Sequence, residues 1–195
     1  MNLFTDSGLQ LEILKAIAEL GFEKPTPIQS KTIPNLLTSN RDIIATAQTG
    51  TGKTAAFGLP SISLTDINNK SPQTLVLCPT RELCVQIAKD LASYAKFIDG
   101  LNVVAIYGGA GMDQQIRALR KGAHIVIGTP GRTKDMIRRK KLVLNNVERV
   151  ILDEADEMLT MGFKEDMEAI LASTPENKQT LLFSATMSKK IISIT

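Results

Sequence analysis

Residues 47–54 combine closely spaced glycines with a lysine and a threonine, a set that can bind phosphate. Gly50 and Gly52 let the backbone turn its N–H groups toward an anion, and a helix beginning at Lys53 adds positive potential at its N-terminus. Lys53 can reach the outer phosphates of a nucleotide, and the Thr54 hydroxyl can ligate Mg²⁺. The segment therefore predicts a phosphate-binding P-loop, although its first residue is alanine where glycine is usual. The alternative is an ordinary glycine-rich turn.

A pair of carboxylates follows the wholly apolar run at residues 150–152. Beside a P-loop, Asp153 would hold Mg²⁺, and Glu154 would orient or deprotonate the water that attacks the terminal phosphate. The alternative for Asp153 is a cap at the N-terminus of the next helix, which is a common role for aspartate.

Composition limits the other kinds of chemistry. The chain has 195 residues, 43% of them hydrophobic, and a net charge of +3, which is typical of one ordinary globular domain. The single histidine, His124, lies in an apolar run, and Cys78 and Cys84 have no second pair, so metal sites built from His or Cys and disulfide frameworks are excluded. We expect reduced thiols, a buried His124, no membrane segment and a cytoplasmic location.

Apolar runs and helical periodicity alternate along the chain and predict an α/β fold. Strands are predicted at residues 42–46, 74–78, 102–107, 123–128, 149–152 and 180–184. Helices are predicted at residues 9–20, 28–37, 53–64, 82–97, 113–121, 133–139 and 164–172, with a surface loop at 65–72. Strands that are apolar on both faces indicate a parallel sheet covered by helices on each side.

The distinctive residues stand where strands end. They are residues 50–54, 79–81, 108–109, 129–132, 153–154 and 184–186. In a parallel sheet these points share one edge, and open α/β sheets bind ligands at that edge. The topology therefore predicts a single composite site.

These segments together resemble the first RecA-like domain of a DEAD-box RNA helicase, of a bacterial cold-shock or ribosome-assembly type. The likeness covers nearly the whole chain. It rests on Ala47-Gln48-Thr49-Gly50-Thr51-Gly52-Lys53-Thr54, Asp153-Glu154-Ala155-Asp156, Ser184-Ala185-Thr186, Pro79-Thr80-Arg81-Glu82-Leu83, Gly108-Gly109, Thr129-Pro130-Gly131-Arg132, and Gly21-Phe22 with Pro25-Thr26-Pro27-Ile28-Gln29. The resemblance implies a P-loop domain that uses ATP and Mg²⁺.

The amino-terminal element is implied to recognise adenine. Thr26 is a good N-cap and Pro27 suits the first helical position, which puts Gln29 in the first turn. A glutamine amide fits the N6 and N7 edge of adenine, and in the family a matching aromatic, here Phe4, stacks on the base. From the residues alone, Phe4 and Phe22 would be core residues. The residues assigned to ATP are Phe4, Phe22, Thr26, Gln29, Gln48, Thr49, Gly50, Thr51, Gly52, Lys53 and Thr54.

The resemblance also implies a binding surface for single-stranded RNA, sequence-independent because it uses sugars and phosphates. Its residues are Pro79, Thr80, Arg81, Gly109, Thr129 and Arg132. Ordinary helix caps and turn glycines are the alternative. The basic run at residues 138–141 is interpreted as a solvated surface. Asp156, Ser184 and Thr186 are implied to bond with one another and to couple the ATP state to the RNA surface.

We expect one domain over residues 1–195, with an adenine-recognition element at 1–40 and a P-loop core at 41–195. The family's second RecA-like domain, which carries arginine fingers, is expected to be absent. The resemblance then implies poor ATP hydrolysis and no duplex unwinding by this chain alone. Two alternatives stay open: the ATPase domain of a DNA translocase, and an RNA docking module without enzymatic activity.

Overall fold

Six short parallel strands form the centre of the protein, whose computed structural model describes residues 3–48 and 50–186. They are β1 (Ile43–Thr46), β2 (Thr74–Leu77), β3 (Val103–Ile106), β4 (Ile125–Gly128), β5 (Arg149–Leu152) and β6 (Gln179–Ser184). Their order across the sheet is β1-β6-β5-β2-β4-β3, and every neighbouring pair is parallel. The predicted strands are confirmed to within a few residues.

The described part of the chain has eight α-helices, two of them before β1 and the other six between successive strands. They are α1 (Leu11–Glu19), α2 (Pro27–Thr38), α3 (Lys53–Ser63), α4 (Arg81–Tyr94), α5 (Met112–Arg120), α6 (Pro130–Arg138), α7 (Ala155–Thr160) and α8 (Lys164–Leu171). The sequence did not predict α7, because six residues are too few to show helical periodicity. None of the described helices is long and apolar enough to cross a bilayer.

Two hydrophobic cores lie on opposite faces of the sheet, as the apolar strands predict. Alternate residues of each strand point to opposite faces, so that Leu181 and Phe183 join one core and Leu182 joins the other. Phe57 of α3 packs against Phe183, with ring centroids 5.5 Å apart. On the other face, Met136 of α6 joins the second core. The predicted parallel sheet with helices on both sides is confirmed.

Buried polar side chains fasten the loops at the amino edge of the sheet, where the strands begin. Gln73 donates from Nε2 to the carbonyl oxygens of Asp66 and Asn69, at 2.7 and 2.8 Å. The imidazole of His124, which is fully buried, bonds the Asn102 N–H through Nδ1 and the Ile67 carbonyl through Nε2. The buried position predicted for His124 is confirmed, and the loop at 65–72 is held to the sheet by both residues.

Both cysteines are buried and free, as expected. The pKa of the Cys78 thiol is raised, first by hydrogen bonding with Cys84 and then by burial. A thiol with a raised pKa is a poor nucleophile, so these residues act as small hydrophobic groups.

We expect Gly128→Ala to destabilise the domain by roughly 1–3 kcal/mol, because a methyl group overpacks the end of β4. A Cβ there would clash with Thr133 Oγ1 and lie 3.0 Å from Ile106 Cγ1. Gly108→Ala is the matched control, since its Cβ would meet nothing within 4 Å. Urea unfolding of the two variants measures the difference, and equal free energies of unfolding would contradict the tight packing at Gly128.

Candidate functional site

The carboxyl ends of the strands bring the predicted motifs to one edge of the sheet. The strand register places Thr46 beside Ser184 and Leu152 beside Leu182. Backbone hydrogen bonds continue this pairing past the strands, because the Ala47 N–H donates to the Ser184 carbonyl at 3.0 Å. The loop after β1 and the loops after β5 and β6 are therefore neighbours, as the sequence predicts.

The loop after β1 has the backbone that a phosphate cradle requires. Gly50 and Gly52 have φ values of +82° and +88°, a left-handed conformation that side chains with a Cβ rarely adopt. Thr51 Oγ1 donates to the Gln48 carbonyl at 2.8 Å and braces the turn. Thr49 lies outside the described residues. Lys53 is the first residue of α3, so that the N-terminus of this helix opens toward the loop.

Lys53 and the two carboxylates after β5 form one buried charge cluster. Lys53 Nζ lies 3.4 Å from Asp153 Oδ1 and 4.0 Å from Glu154 Oε1. The side chains of Lys53 and Asp153 are only 6% and 3% exposed, whereas that of Glu154 is 24% exposed. The lysine is therefore held between the loop and the carboxylates, and Glu154 is the member of the cluster that solvent reaches.

The surroundings of Asp153 suit a bound cation. Burial raises the pKa of its carboxyl above the ordinary value, and the Lys53 ammonium only partly offsets this effect. Among the described residues, Oδ1 has no hydrogen bond of good geometry besides the charge contact with Lys53. A divalent cation beside it would favour the ionised form. Among the described residues, no three His, Cys, Asp or Glu side chains are grouped so that they could hold a metal ion, so a Mg²⁺ ion here would depend on Asp153, the Thr54 hydroxyl, phosphate and water.

Glu154 has a strained backbone. Its φ and ψ angles are +55° and +50°, and it precedes the first residue of α7. A residue with a Cβ in this left-handed region costs about 1–2 kcal/mol relative to glycine. The N-cap position therefore belongs to Glu154 and not to Asp153, so the capping alternative for Asp153 is wrong.

Gln29 ties the amino-terminal element to the phosphate loop. Thr26 caps α2, and its N–H donates to Gln29 Oε1 at 2.9 Å. Gln29 Nε2 donates to the Gly52 carbonyl at 3.1 Å, and a Cβ at Gly52 would clash with this amide. Gln29 is only 4% exposed. Its amide is thus oriented by two protein partners, which leaves one donor and one acceptor position for another ligand.

The two phenylalanines of the element pack into the core. Phe4 lies in a short 3-10 helix, is 5% exposed, and packs against Phe22 with ring centroids 6.0 Å apart and ring planes tilted by 38°. Phe22 in turn meets the edge of Tyr94 at 5.9 Å. These positions agree with the prediction, made from the residues alone, that both phenylalanines belong to the core. The adenine contacts implied for Phe4 and Phe22 stay predictions. For adenine to stack on Phe4, one face of the Phe4 ring would have to be exposed.

The loops after β2 and β3 meet beside Arg81. Thr80 caps α4 by accepting the Leu83 N–H at 3.2 Å, and Pro79 precedes it. The Arg81 guanidinium lies 5.0 Å from the centre of the Tyr107 ring. A Cβ on Gly109, whose φ is +76°, would lie 3.7 Å from Arg81 Nη1. The structure therefore places Arg81 and Gly109 side by side.

Arg132 is joined to the same surface by a residue that sequence reasoning missed. Its guanidinium donates to Gln115 Oε1 at 3.1 Å and to the Ala110 carbonyl at 3.2 Å. Gln115 is buried, and its Nε2 donates to the Tyr107 carbonyl at 3.1 Å. Thr129 lies at the N-cap of α6 without a side-chain capping bond. Gln115 is part of the helical pattern of α5, and nothing in the sequence marks it as a site residue. Only the tertiary fold places it between the loop after β3 and Arg132 of α6.

Asp156 of α7 connects to the loop after β6. The Thr186 N–H and hydroxyl both donate to Asp156 Oδ2, at 3.0 and 3.1 Å. Burial opposes ionisation of Asp156, but the nearby hydroxyls of Ser184 and Thr186 outweigh it and hold the pKa below the ordinary value. Ser184 is fully buried, and in the described part of the chain its Oγ has no hydrogen bond of good geometry. The implied contact with Asp156 is therefore present for Thr186, while Ser184 acts only as a nearby dipole.

This arrangement has clear counterparts among known proteins. A family model described as DEAD/DEAH box helicase matches residues 26–194. The chain belongs to this family. The DEAD-box assignment made from the motifs is thus confirmed. The solved structure of a DEAD box protein from the hyperthermophile Methanococcus jannaschii matches it with a TM-score of 0.95 at 48% identity, over 100% of this chain and 53% of that one.

Bacterial relatives of this DEAD-box domain are similar along nearly all of it. It is 54% identical over 192 residues to the ATP-dependent RNA helicase DeaD of Escherichia coli, which is 98% of this chain and 30% of that protein. It is 52% identical over 187 residues to the DEAD-box ATP-dependent RNA helicase CshA of Geobacillus kaustophilus, which is 96% of this chain and 40% of that protein. The chain therefore spans less than half the length of either relative.

Proposed function

We propose that this chain is the ATP-binding and RNA-binding first domain of a DEAD-box RNA helicase, acting in the cytoplasm. The observation that carries the proposal is the buried cluster of Lys53, Asp153 and Glu154 beside a glycine loop at a helix N-terminus. Burying Lys53 and Asp153 carries a desolvation cost that their mutual attraction repays only in part, so the cluster is weak evidence for stability and better evidence for a role in binding. Phosphoryl transfer from a nucleotide uses this combination of charges.

The nucleotide roles follow from position. The backbone N–H groups of residues 50–54 would hold the phosphates, with Lys53 reaching the terminal one. Asp153 and Thr54 would hold Mg²⁺, which neutralises charge on the phosphates when it is bound. Glu154, partly exposed and 4.0 Å from Lys53, would orient the attacking water and accept its proton.

The RNA roles rest on the surface around Arg81. The side-by-side placement of Arg81 and Gly109, with Arg132 linked through Gln115, gives two cations and a close-approach glycine on neighbouring loops. Pro79, Thr80 and Thr129 lie at the starts of α4 and α6, where helix N-termini favour phosphate. Such contacts hold the backbone of RNA without reading its sequence.

The link between the proposed nucleotide site and the proposed RNA surface would run through α7. This helix begins directly after Glu154, and its Asp156 holds Thr186 at the end of β6. A shift of the carboxylates on ATP binding would therefore be transmitted to the loop after β6. Coupling by Asp156, Ser184 and Thr186 is proposed on this connection.

Hydrolysis is proposed to need a second RecA-like domain that supplies an arginine finger. Such an arginine contributes on the order of a thousandfold or more to the rate. The 195-residue chain is accordingly expected to bind ATP and RNA, to hydrolyse ATP very slowly and to separate no duplex.

The test is ATP turnover by the 195-residue chain with single-stranded RNA, with DNA of the same sequence, and with no nucleic acid, alongside direct ATP and RNA binding. Binding of both ligands with negligible turnover is the expected result. Turnover stimulated by RNA would contradict the requirement for a second domain. Preference for DNA would favour a DNA translocase, and RNA binding without ATP binding would favour a docking module.

We expect Gln29→Ala to reduce the preference for ATP over GTP by about tenfold, because a bidentate amide contact to adenine contributes about 1–3 kcal/mol of discrimination. Competition of ATP and GTP against a fluorescent adenine nucleotide measures the ratio. Thr26→Val, at another residue assigned to ATP, is the comparison: it removes the α2 cap but keeps the backbone N–H that orients Gln29 Oε1. An equal loss of selectivity in both variants would show that the cap, and not the amide, is responsible.

A further inference from the structure

A polar groove crosses the amino edge of the sheet, on the opposite side of the domain from the strand ends described above. It consists of two adjoining cavities of about 450 and 230 Å³ that share Asn145 and Asn146. Gln179 and Arg149, the first residues of β6 and β5, line the larger one. Lys70 and Lys141 line the smaller one. No part of the nucleotide or RNA site proposed above uses these residues.

The lining of the larger cavity is rich in amides and lacks aromatic side chains within the described residues. It contains Asn40, Asn69, Asn145, Asn146, Asn177 and Gln179. At its base, the side chain of Arg149 is 6% exposed, and its Nε has no hydrogen-bond partner in the described part of the chain. Glu148, the one carboxylate among the described residues of the lining, is 62% exposed and already paired with Arg149 at 2.8 Å.

Two exposed lysines, Lys70 and Lys141, line the smaller cavity, and further cations lie on the segments that carry its lining residues. α5 ends in Arg117 and Arg120 and is followed by Lys121, while the turn after α6 contains Lys140 and Lys141. All five are exposed, as is Lys70. None of the six forms an ion pair with another described residue, unlike Arg138 and Arg139, which share Asp135. Lys140 also holds a φ of +55°, which glycine would adopt without strain.

The groove is preorganised by the buried glutamines beneath it. Gln179 Nε2 donates to the carbonyl oxygens of Ser39 and Arg41, at 3.1 and 2.7 Å. Gln73 fastens residues 66 and 69 in the same way, and the Glu148 N–H donates to the Gln73 carbonyl at 2.9 Å. The segments that carry Asn40, Asn69 and Lys70 are therefore fixed to the strands, which lowers the entropy lost when a ligand binds.

We propose that this groove is a second RNA-binding surface, which takes the sugar-phosphate backbone of a segment separate from the one held at the strand ends. The inference rests on the proposed function, since it assumes that RNA is the ligand of the domain. Amide side chains suit ribose hydroxyls and phosphate oxygens, and unpaired lysines suit phosphates. A protein partner would instead favour an apolar centre with aromatic anchors, which the lining lacks. The strands separate the two surfaces, so one short RNA segment would not occupy both.

The experiment measures binding of a fluorescent RNA hairpin with a single-stranded tail to the 195-residue chain, over a range of salt concentrations. Lys70→Glu/Lys141→Glu is expected to weaken binding at least tenfold at low salt. It should also reduce the slope of log K against log salt by about 1.4, since each lost single-strand phosphate contact removes about 0.7. The control is Lys15→Glu/Lys89→Glu, which changes the net charge equally on the exposed surfaces of α1 and α4.

The outcomes separate this inference from the proposed function. If Arg81→Ala weakens binding while the Lys70/Lys141 double variant equals its control, the groove does not bind RNA and the strand-end site stands. If the chain binds no RNA at all, the proposed function fails first. If polyglutamate displaces the hairpin as well as unlabelled RNA does, the groove attracts acidic polymers in general, and the assignment to RNA is overturned. Cross-linking of 4-thiouridine RNA to peptides containing residue 70 or 141 is the expected positive result.

Discussion

Lys53→Met is expected to weaken ATP binding on the order of a hundredfold, the largest effect on affinity that we predict. The substitution removes the cation that would contact the terminal phosphates, and hydrogen bonds to charged groups contribute about 1.5–3 kcal/mol each. Methionine keeps the length and most of the volume of the buried side chain. Titration of a fluorescent ATP analogue measures the change, and an unaltered dissociation constant would remove the P-loop assignment.

The same substitution should also affect stability, and this effect can be separated from binding. Without Lys53, the Asp153 carboxyl loses its neighbouring cation, so burial raises its pKa further. A raised pKa means that the folded state holds the proton more tightly than the unfolded chain. The destabilisation of Lys53→Met is therefore small in acid, below the ordinary carboxyl pKa, and grows as the pH rises to neutrality. Adding Asp153→Asn should restore the melting temperature at neutral pH but not the ATP affinity.

Glu154→Gln is expected to lower ATP turnover by about 10²–10⁴-fold in a longer protein that carries both RecA-like domains, while ATP binding stays within about twofold. The amide keeps the shape of the side chain but cannot accept the proton of the attacking water, and general base catalysis contributes a factor of that size. Single-turnover hydrolysis with saturating RNA measures the rate. Full activity would assign the base to another residue.

A second variant at this position tests whether the backbone strain serves function. Glu154→Gly removes the side chain at a φ of +55°, where glycine is unstrained. We expect the 195-residue variant to melt at or above the temperature of the unaltered chain, and the same substitution in the longer protein with both RecA-like domains to abolish ATP turnover. A lower melting temperature would show that the contacts of the Glu154 side chain stabilise the fold by more than the strain costs.

The sequence was most informative where local chemistry decides structure. Three features fix the backbone conformation within a few residues. They are the glycines at positions 50 and 52, the Thr26 cap followed by Pro27, and the alternation of apolar runs. Parallel strands then bring the loops that follow them to one edge whatever the details of packing, which is why the composite site could be predicted. Helix α7 was missed because six residues carry no periodic signal.

Only the tertiary structure could decide which partners those side chains find. The amide of Gln29 is oriented by the Gly52 carbonyl, 23 residues away in the sequence. Arg132 is connected to the loop after β3 through Gln115, a residue with no distinguishing pattern. Phe4 was predicted to be a core residue, but its contact with the Phe22 ring is a tertiary contact that the sequence did not predict. The basic run at residues 138–141 was interpreted as a solvated surface, and only the fold places its end beside Lys70 and the amides of the amino edge. Local sequence determines where the loops begin and end. Which loops come into contact, and therefore which side chains become partners, depends on the tertiary fold.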